Sequence, residues 1–174
     1  MALPLLGLGA AIVAAYAGGK ISENKQKSAG IVGAFPGETK LQITPVDGAI
    51  LICGVYGFFE HSGIWCDGKI VELKGNGLVR AISPERFVGE RSGDTIYIAG
   101  DASGNPFVGA EAMQRAVAEV YQYYDYDVIK CNCHQFSWRC VSGSTEVLTR
   151  FSELNAKLSS YFSSPVYWYP MSSC

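Results

Sequence analysis

The chain has 174 residues, enough for one domain with a buried core and a short extension. Apolar residues make up 48% of it and charged residues 17%, which excludes a disordered chain. A net charge of -2 with no basic run argues against nucleic acid as a partner.

Residues 2–19 carry no charge and are rich in Ala, Gly and Leu. As a helix they would span about 27 Å, against a bilayer core of about 30 Å. Three readings stand: a membrane segment, an apolar helix packed on the domain, or a signal cleaved after the small-x-small stretch Ala15-Tyr16-Ala17. Lys20, Lys25 and Lys27 all follow the segment. If it spans, the excess of positive charge on that side places the rest of the chain in the cytoplasm. Residues 1–20 are thus expected as an apolar helix, 21–44 as a polar, glycine-containing linker, 45–162 as the folded domain and 163–174 as a tail.

The domain opens on strands. Ala49-Ile50-Leu51-Ile52-Cys53 is a continuous apolar run bounded by glycines, the pattern of a buried strand. Residues 61–66 form a second strand, Asp67-Gly68 a hairpin turn, and 69–73 the alternating return strand. Residues 78–82 read as a further strand. Ser83-Pro84 then supplies an N-cap and a first-turn proline for a short helix ended by Gly89. Residues 94–99 are another strand. The four-residue spacing of Ala112, Ala116 and Val120 predicts a helix, and 125–130 an extended approach to the next one. A helix from Asn132 to Gly143 and a last one over 145–162, with Leu148, Phe151, Leu154 and Leu158 as its stripe, complete the chain. The expected class is α+β, an antiparallel sheet with helices gathered against it.

The chemistry concentrates at Asn132-Cys133-His134-Gln135-Phe136 and at Glu60-His61-Ser62-Gly63-Ile64-Trp65, which hold the only two histidines. A thiol at a helix start faces the positive end of the helix dipole, which favours the thiolate. An imidazole held on a strand is the base that such a nucleophile needs. His134, next to Cys133 on a helix, points about 100° away and reads as a pocket-rim residue rather than the base. The tyrosines at 121, 123, 124 and 126 read as packing at a helix end. Of the six cysteines, Cys53 and Cys66 lie in apolar runs and read as reduced thiols. The Cys131, Cys133, His134 and Cys140 spacing fits a structural zinc site poorly, so neither a metal nor another cofactor is expected. An alternative role for Cys131 is to protect or regulate Cys133 by oxidation.

Together these segments resemble the lecithin:retinol acyltransferase-like family, a circularly permuted branch of the papain and NlpC-type thiol hydrolases. The likeness runs from Val46 to Gly143. Pro45-Val46-Asp47-Gly48-Ala49-Ile50 is similar to the family's opening strand, and the segment at His61 to its histidine strand. Residues 67–73 resemble its hairpin, and Ser83-Pro84-Glu85-Arg86-Phe87 its short helix. Tyr126-Asp127-Val128-Ile129 leading into Asn132-Cys133 resembles its Asn-Cys-Glu-His-Phe box, with His134 and Gln135 in place of the Glu and His. The resemblance implies a permuted papain-like fold with Cys133 as nucleophile and His61 as base. Glu72 stands where the family places the polar residue that orients the base.

The activity implied is acyl transfer or hydrolysis through a Cys-acyl intermediate, with lipid esters as donors and a membrane surface as partner. Two alternatives remain open. One is a cysteine peptidase or amidase acting on peptide or isopeptide bonds. The other is a non-enzymatic membrane-associated protein on a degenerate hydrolase scaffold. The sequence carries no signal for an oligomeric state.

Overall fold

The computed structural model describes residues 19–55, 59–89 and 91–172. The expectation for residues 2–19 therefore falls outside the described residues, except at Gly19. Among the described residues no helix is long and apolar enough to cross a membrane.

Helix α1 covers 19–28 of the described chain. The strands are β1 (Val32–Ala34), β2 (Ile50–Val55), β3 (Phe59–Cys66), β4 (Lys69–Leu73), β5 (Val79–Ile82), β6 (Ile96–Gly100) and β7 (Val166–Pro170). The remaining helices are α2 (Pro84–Gly89), α3 (Ala112–Ala118), α4 (Cys133–Ser142) and α5 (Phe151–Phe162). One seven-stranded sheet runs in the order β1-β7-β6-β2-β3-β4-β5. The α+β class holds, but the sheet is mixed rather than wholly antiparallel, because β1 pairs with β7 in parallel.

Both strands of that pair lie in stretches expected to be linker and tail. Residues 21–44 carry the end of α1 and all of β1, and Ile43 bridges to Met171. Strand β7 sits inside the sheet between β1 and β6, with Trp168 fully buried. A three-part hydrogen-bond chain holds it there. The Trp168 indole donates to Asn155 Oδ1 at 3.0 Å, and Asn155 Nδ2 donates to Gln26 Oε1 at 3.1 Å. The buried amide thus links β7, α5 and α1 with its polar atoms satisfied.

Alternation along the strands divides the core into two layers. Ile50, Ile52, Ile64, Val71, Leu73 and Val79 pack with Phe136, Val141, Leu154 and Leu158, so helices α4 and α5 cover this face. Leu51, Cys53, Trp65, Ile70, Ile82 and Ile98 pack with Phe87 of α2 on the other. Each such aliphatic side chain, fully buried, contributes about 1.5–3 kcal/mol. On β3 the odd positions His61, Gly63 and Trp65 face α2, and the even positions Ser62, Ile64 and Cys66 face α4. Gly63 marks the closest approach. A Cβ there would lie 2.6 Å from Ile70 Cγ2 and 3.0 Å from the Val71 carbonyl oxygen.

The hairpin turn forms at Asp67-Gly68 with both residues at positive φ, 45° and 71°, as a two-residue turn requires. The β3–β4 ladder then runs through Cys66↔Lys69, Trp65↔Ile70 and Ile64↔Val71, stopping short of His61 and Glu72. Two helix boundaries differ from expectation. Helix α3 ends at Ala118, before Val120. Residues 145–150 are not helical, because the Leu148 carbonyl accepts from Asn132 Nδ2 and Glu153 Oε2 takes the Thr149 and Arg150 N–H groups to start α5 at Phe151.

Candidate active site

The nucleophile position is built by its own approach loop. Asp127 and Cys131 exchange backbone hydrogen bonds at 2.9 Å each, while Asp127 Oδ1 accepts from the Ile129 and Lys130 N–H groups. Asn132 then caps α4. Its Oδ1 accepts from the Gln135 N–H at 3.0 Å, and its Nδ2 donates to the Val128 and Leu148 carbonyls at 2.9 and 2.7 Å. Every polar atom of that buried side chain is used, so the helix start is fixed. Cys133 becomes the first helical residue, where N–H groups lack intrahelical acceptors and the dipole favours an anion. At the other end Gly143 closes the helix with φ 75°, as its sequence position predicts.

The three residues singled out from the sequence come together. His61 Nε2 lies 2.8 Å from Glu72 Oε2. That bond leaves Nδ1 free to face Cys133, whose sulfur is close enough to act on the titration of the same ring. Glu72 is fully buried yet fully paired. Arg80, directly across the β4–β5 ladder, donates Nε to Oε1 at 2.8 Å. Arg91 donates to Oε2 at 2.6 Å and stacks its guanidinium 4.9 Å from the Phe87 ring centroid. Phe87 in turn lies 5.5 Å from the His61 ring. Burial alone would raise the Glu72 pKa, but His61, Arg91 and Arg80 outweigh it and hold the carboxyl at about 2. The ring therefore always has an anion behind it.

The thiols separate into two classes. Burial pushes Cys53, Cys66 and Cys140 up to about 12, so these remain protonated and inert. Burial acts on Cys133 in the same direction, yet His134 and His61 overcome it and hold this thiol well below its ordinary value. In return, the Cys133 sulfur and Glu72 raise His61 against the desolvation that would lower it. The arrangement favours a thiolate–imidazolium pair. Cys133 itself is buried, at 5% exposure.

Five participants were not assigned from the sequence. Arg80 and Arg91 are the counter-ions that a carboxylate inside an apolar strand demands, and Glu72 in Lys-Ile-Val-Glu-Leu was the available signal for them. His134 is buried rather than at a loose rim. Its Nδ1 lies 3.1 Å from Ser62 Oγ, and it forms part of the wall of a cavity of about 530 Å³. Tyr126, read as packing, lies close to Cys133, and its hydroxyl pKa is raised by burial and by the charge of that thiolate. Glu60, half-buried in the cavity wall, is pushed up to about 7 by loss of water around it.

Among the described residues no group of three His, Cys, Asp or Glu side chains has the arrangement of a metal site. The geometry is that of a thiol at a helix start with an oriented imidazole. The cavity of ligand size adjoins it through His134, while Cys133 and His61 do not line its wall. No family model matches the chain, and neither does a curated protein or a solved structure.

Proposed function

We propose that this chain is a cysteine-dependent acyltransferase or hydrolase, with Cys133 as nucleophile, His61 as base and Glu72 as the carboxylate that orients the ring. The observation that carries this is geometric: Cys133 opens α4 behind the Asn132 cap, and His61 is held through Nε2 at 2.8 Å from the buried Glu72 carboxylate. In line with it, the Cys133 thiol is held low beside two imidazoles while burial pushes Cys53, Cys66 and Cys140 up to about 12. A structural cysteine needs neither imidazole. The permuted papain-like arrangement implied by the resemblance in sequence belongs to the same proposal.

In the resting pair, the Cys133 proton sits on His61. The thiolate attacks the carbonyl carbon of an ester or amide, and the carbonyl electron pair moves onto oxygen. N–H groups of the first turn of α4 receive that oxyanion. The adduct collapses, the C–O or C–N bond breaks, and the leaving group takes the proton from His61. Water, or an acceptor alcohol or amine, then gives its proton to His61 as it attacks the thioester, and the C–S bond breaks to restore the thiolate.

Lipid esters are the preferred donors on two grounds beyond the resemblance. Phe35, Phe59 and Phe151 line the cavity. Val128 and Ile129, in the loop leading to Cys133, are 67% and 57% exposed. Thr149 Oγ1 donates to the Ile129 carbonyl at 3.1 Å, which draws the exposed Val147 segment toward the same edge. Apolar side chains around a site entrance suit a lipid surface. Lys20, Glu23 and Arg150 on the cavity wall favour the second reading, a peptidase or amidase with a charged substrate.

Incubation with phosphatidylcholine vesicles, followed by mass spectrometry, tests the proposal. The expected result is an acyl adduct on Cys133 and released fatty acid, both absent in Cys133→Ala. Cleavage of peptides without action on vesicles would replace the lipid assignment. Full activity in Cys133→Ala would overturn the enzyme assignment and leave the non-enzymatic scaffold.

A further inference from the structure

His134 takes no part in the mechanism above, yet its surroundings are specific. It is 6% exposed, immediately follows the nucleophile and forms part of the cavity wall. Its ring lies 5.8 Å from the Phe151 ring centroid, which fixes its tilt. Behind it stand two fully buried serines from different elements, Ser62 on β3 and Ser137 on α4. The Ser137 hydroxyl donates to Ser62 Oγ at 3.0 Å. Ser62 Oγ thereby accepts one hydrogen bond, and it lies 3.1 Å from His134 Nδ1, placed to donate its own hydrogen there. An imidazole whose Nδ1 accepts carries its hydrogen on Nε2.

Cys133 and His134 are the first two residues of α4, so the ring stands beside the sulfur-bearing residue. With Nδ1 occupied by Ser62, the Nε2–H group is the donor left for whatever enters the cavity. We infer that His134 is a further catalytic residue, an Nε2–H donor set by the Ser137–Ser62 chain, which stabilises the oxyanion of the adduct formed beside it at Cys133. No bond to His134 forms or breaks and no proton leaves it. Hydroxyls behind it supply a tautomer but no counter-charge, in contrast to the carboxylate behind His61. The charged and titratable groups around it are Cys133 on its own helix, Glu60 on β3, His61 beyond Cys133, and Lys20, Glu23 and Arg150 on the same cavity wall. One thiolate needs one imidazolium, and Glu72 places that charge on His61.

This inference rests on the thiol-nucleophile proposal for its catalytic part and not for its tautomer. Two measurements therefore separate the failures. Long-range ¹H–¹⁵N spectra of the two imidazoles at pH 7 should show His134 with Nε2 protonated and Nδ1 bare, and Ser62→Ala should remove that preference. A doubly protonated His134, or an Nδ1–H ring, overturns the inference whether or not the protein turns over any ester.

The second measurement is turnover of p-nitrophenyl butyrate. His134→Ala should lower kcat by about 10²–10³, the usual loss for one oxyanion donor. His134→Gln, which restores a neutral N–H, should recover at least tenfold, and the pH limits of both variants should match those of the wild type. A lost pH limb in His134→Ala would make this residue a proton carrier, and an unchanged kcat would make it a bystander; either result overturns the inference. Absence of turnover in the wild type, with the tautomer as expected, would instead defeat the proposed function and with it the catalytic role.

Discussion

The two histidines meet one sulfur from opposite faces of the sheet, and they are supported by opposite chemistry. On the α2 face His61 is backed by Glu72, which is itself held by Arg80 and Arg91. On the α4 face His134 is backed by the hydroxyls of Ser62 and Ser137. A carboxylate behind an imidazole stabilises the charged ring, whereas a hydroxyl leaves it neutral. The same side chain is thereby assigned to carry charge in one place and to donate a hydrogen bond in the other. The polarity of what lies behind the ring decides the role.

Breaking the charged arm has the largest expected effect. Glu72→Ala leaves two arginines and an imidazole around a buried gap, which costs about 3–5 kcal/mol in stability and abolishes turnover. Denaturant unfolding checks the first and an ester assay the second. Next is His61→Ala, which removes the base without stranding a buried ion pair. Its expected loss is about 10²–10⁴ in kcat/KM, with little change in denaturation midpoint.

The pH dependence sharpens the comparison further. Glu72 is lowered from 4.5 to about 2 in the folded chain, equivalent to about 3 kcal/mol. Because the folded pKa is the lower one, that contribution is complete above pH 4.5 and is lost as pH falls toward 2. Unfolding free energies at pH 5 and pH 2.5 should show the loss, and Glu72→Gln should show less of it. The neutral arm is the weaker one. Ser62→Ala leaves the Ser137 hydroxyl and His134 Nδ1 without partners, a cost of about 1–3 kcal/mol, while the iodoacetamide reactivity of Cys133 changes less than in His61→Ala.

The charged arm was also the more legible in sequence. Cys133 between the cap Asn132 and the stop Gly143, His61 on an alternating strand and Glu72 across a two-residue turn are all local patterns. The hairpin brings His61 and Glu72 together, a pairing the family resemblance had pointed to, and that resemblance also joined them to the distant Cys133. The neutral arm was not legible, because Ser62 and Ser137 are 75 positions apart and look like ordinary polar residues. A helix diagram turned His134 away from Cys133 but said nothing of the strand it turns toward. The same distance effect hid β7. Val-Tyr-Trp-Tyr-Pro has no alternation in polarity to announce a strand, and its parallel partner β1 lies far upstream in a stretch whose composition suggests a linker. Arg150 and Glu153 open α5 later than the apolar stripe suggested, because Leu148 is buried by the loop that caps α4 rather than by a helix.

The most direct test of the central claim is the pH dependence of alkylation at each cysteine, read by peptide mass spectrometry after brief exposure to iodoacetamide. The account predicts that Cys133 is modified at pH 6 while Cys53, Cys66 and Cys140 are not, and that His61→Ala moves the onset at Cys133 upward. An onset at Cys133 near the pH of an ordinary thiol, about 8.5, and unchanged by His61→Ala, would contradict it.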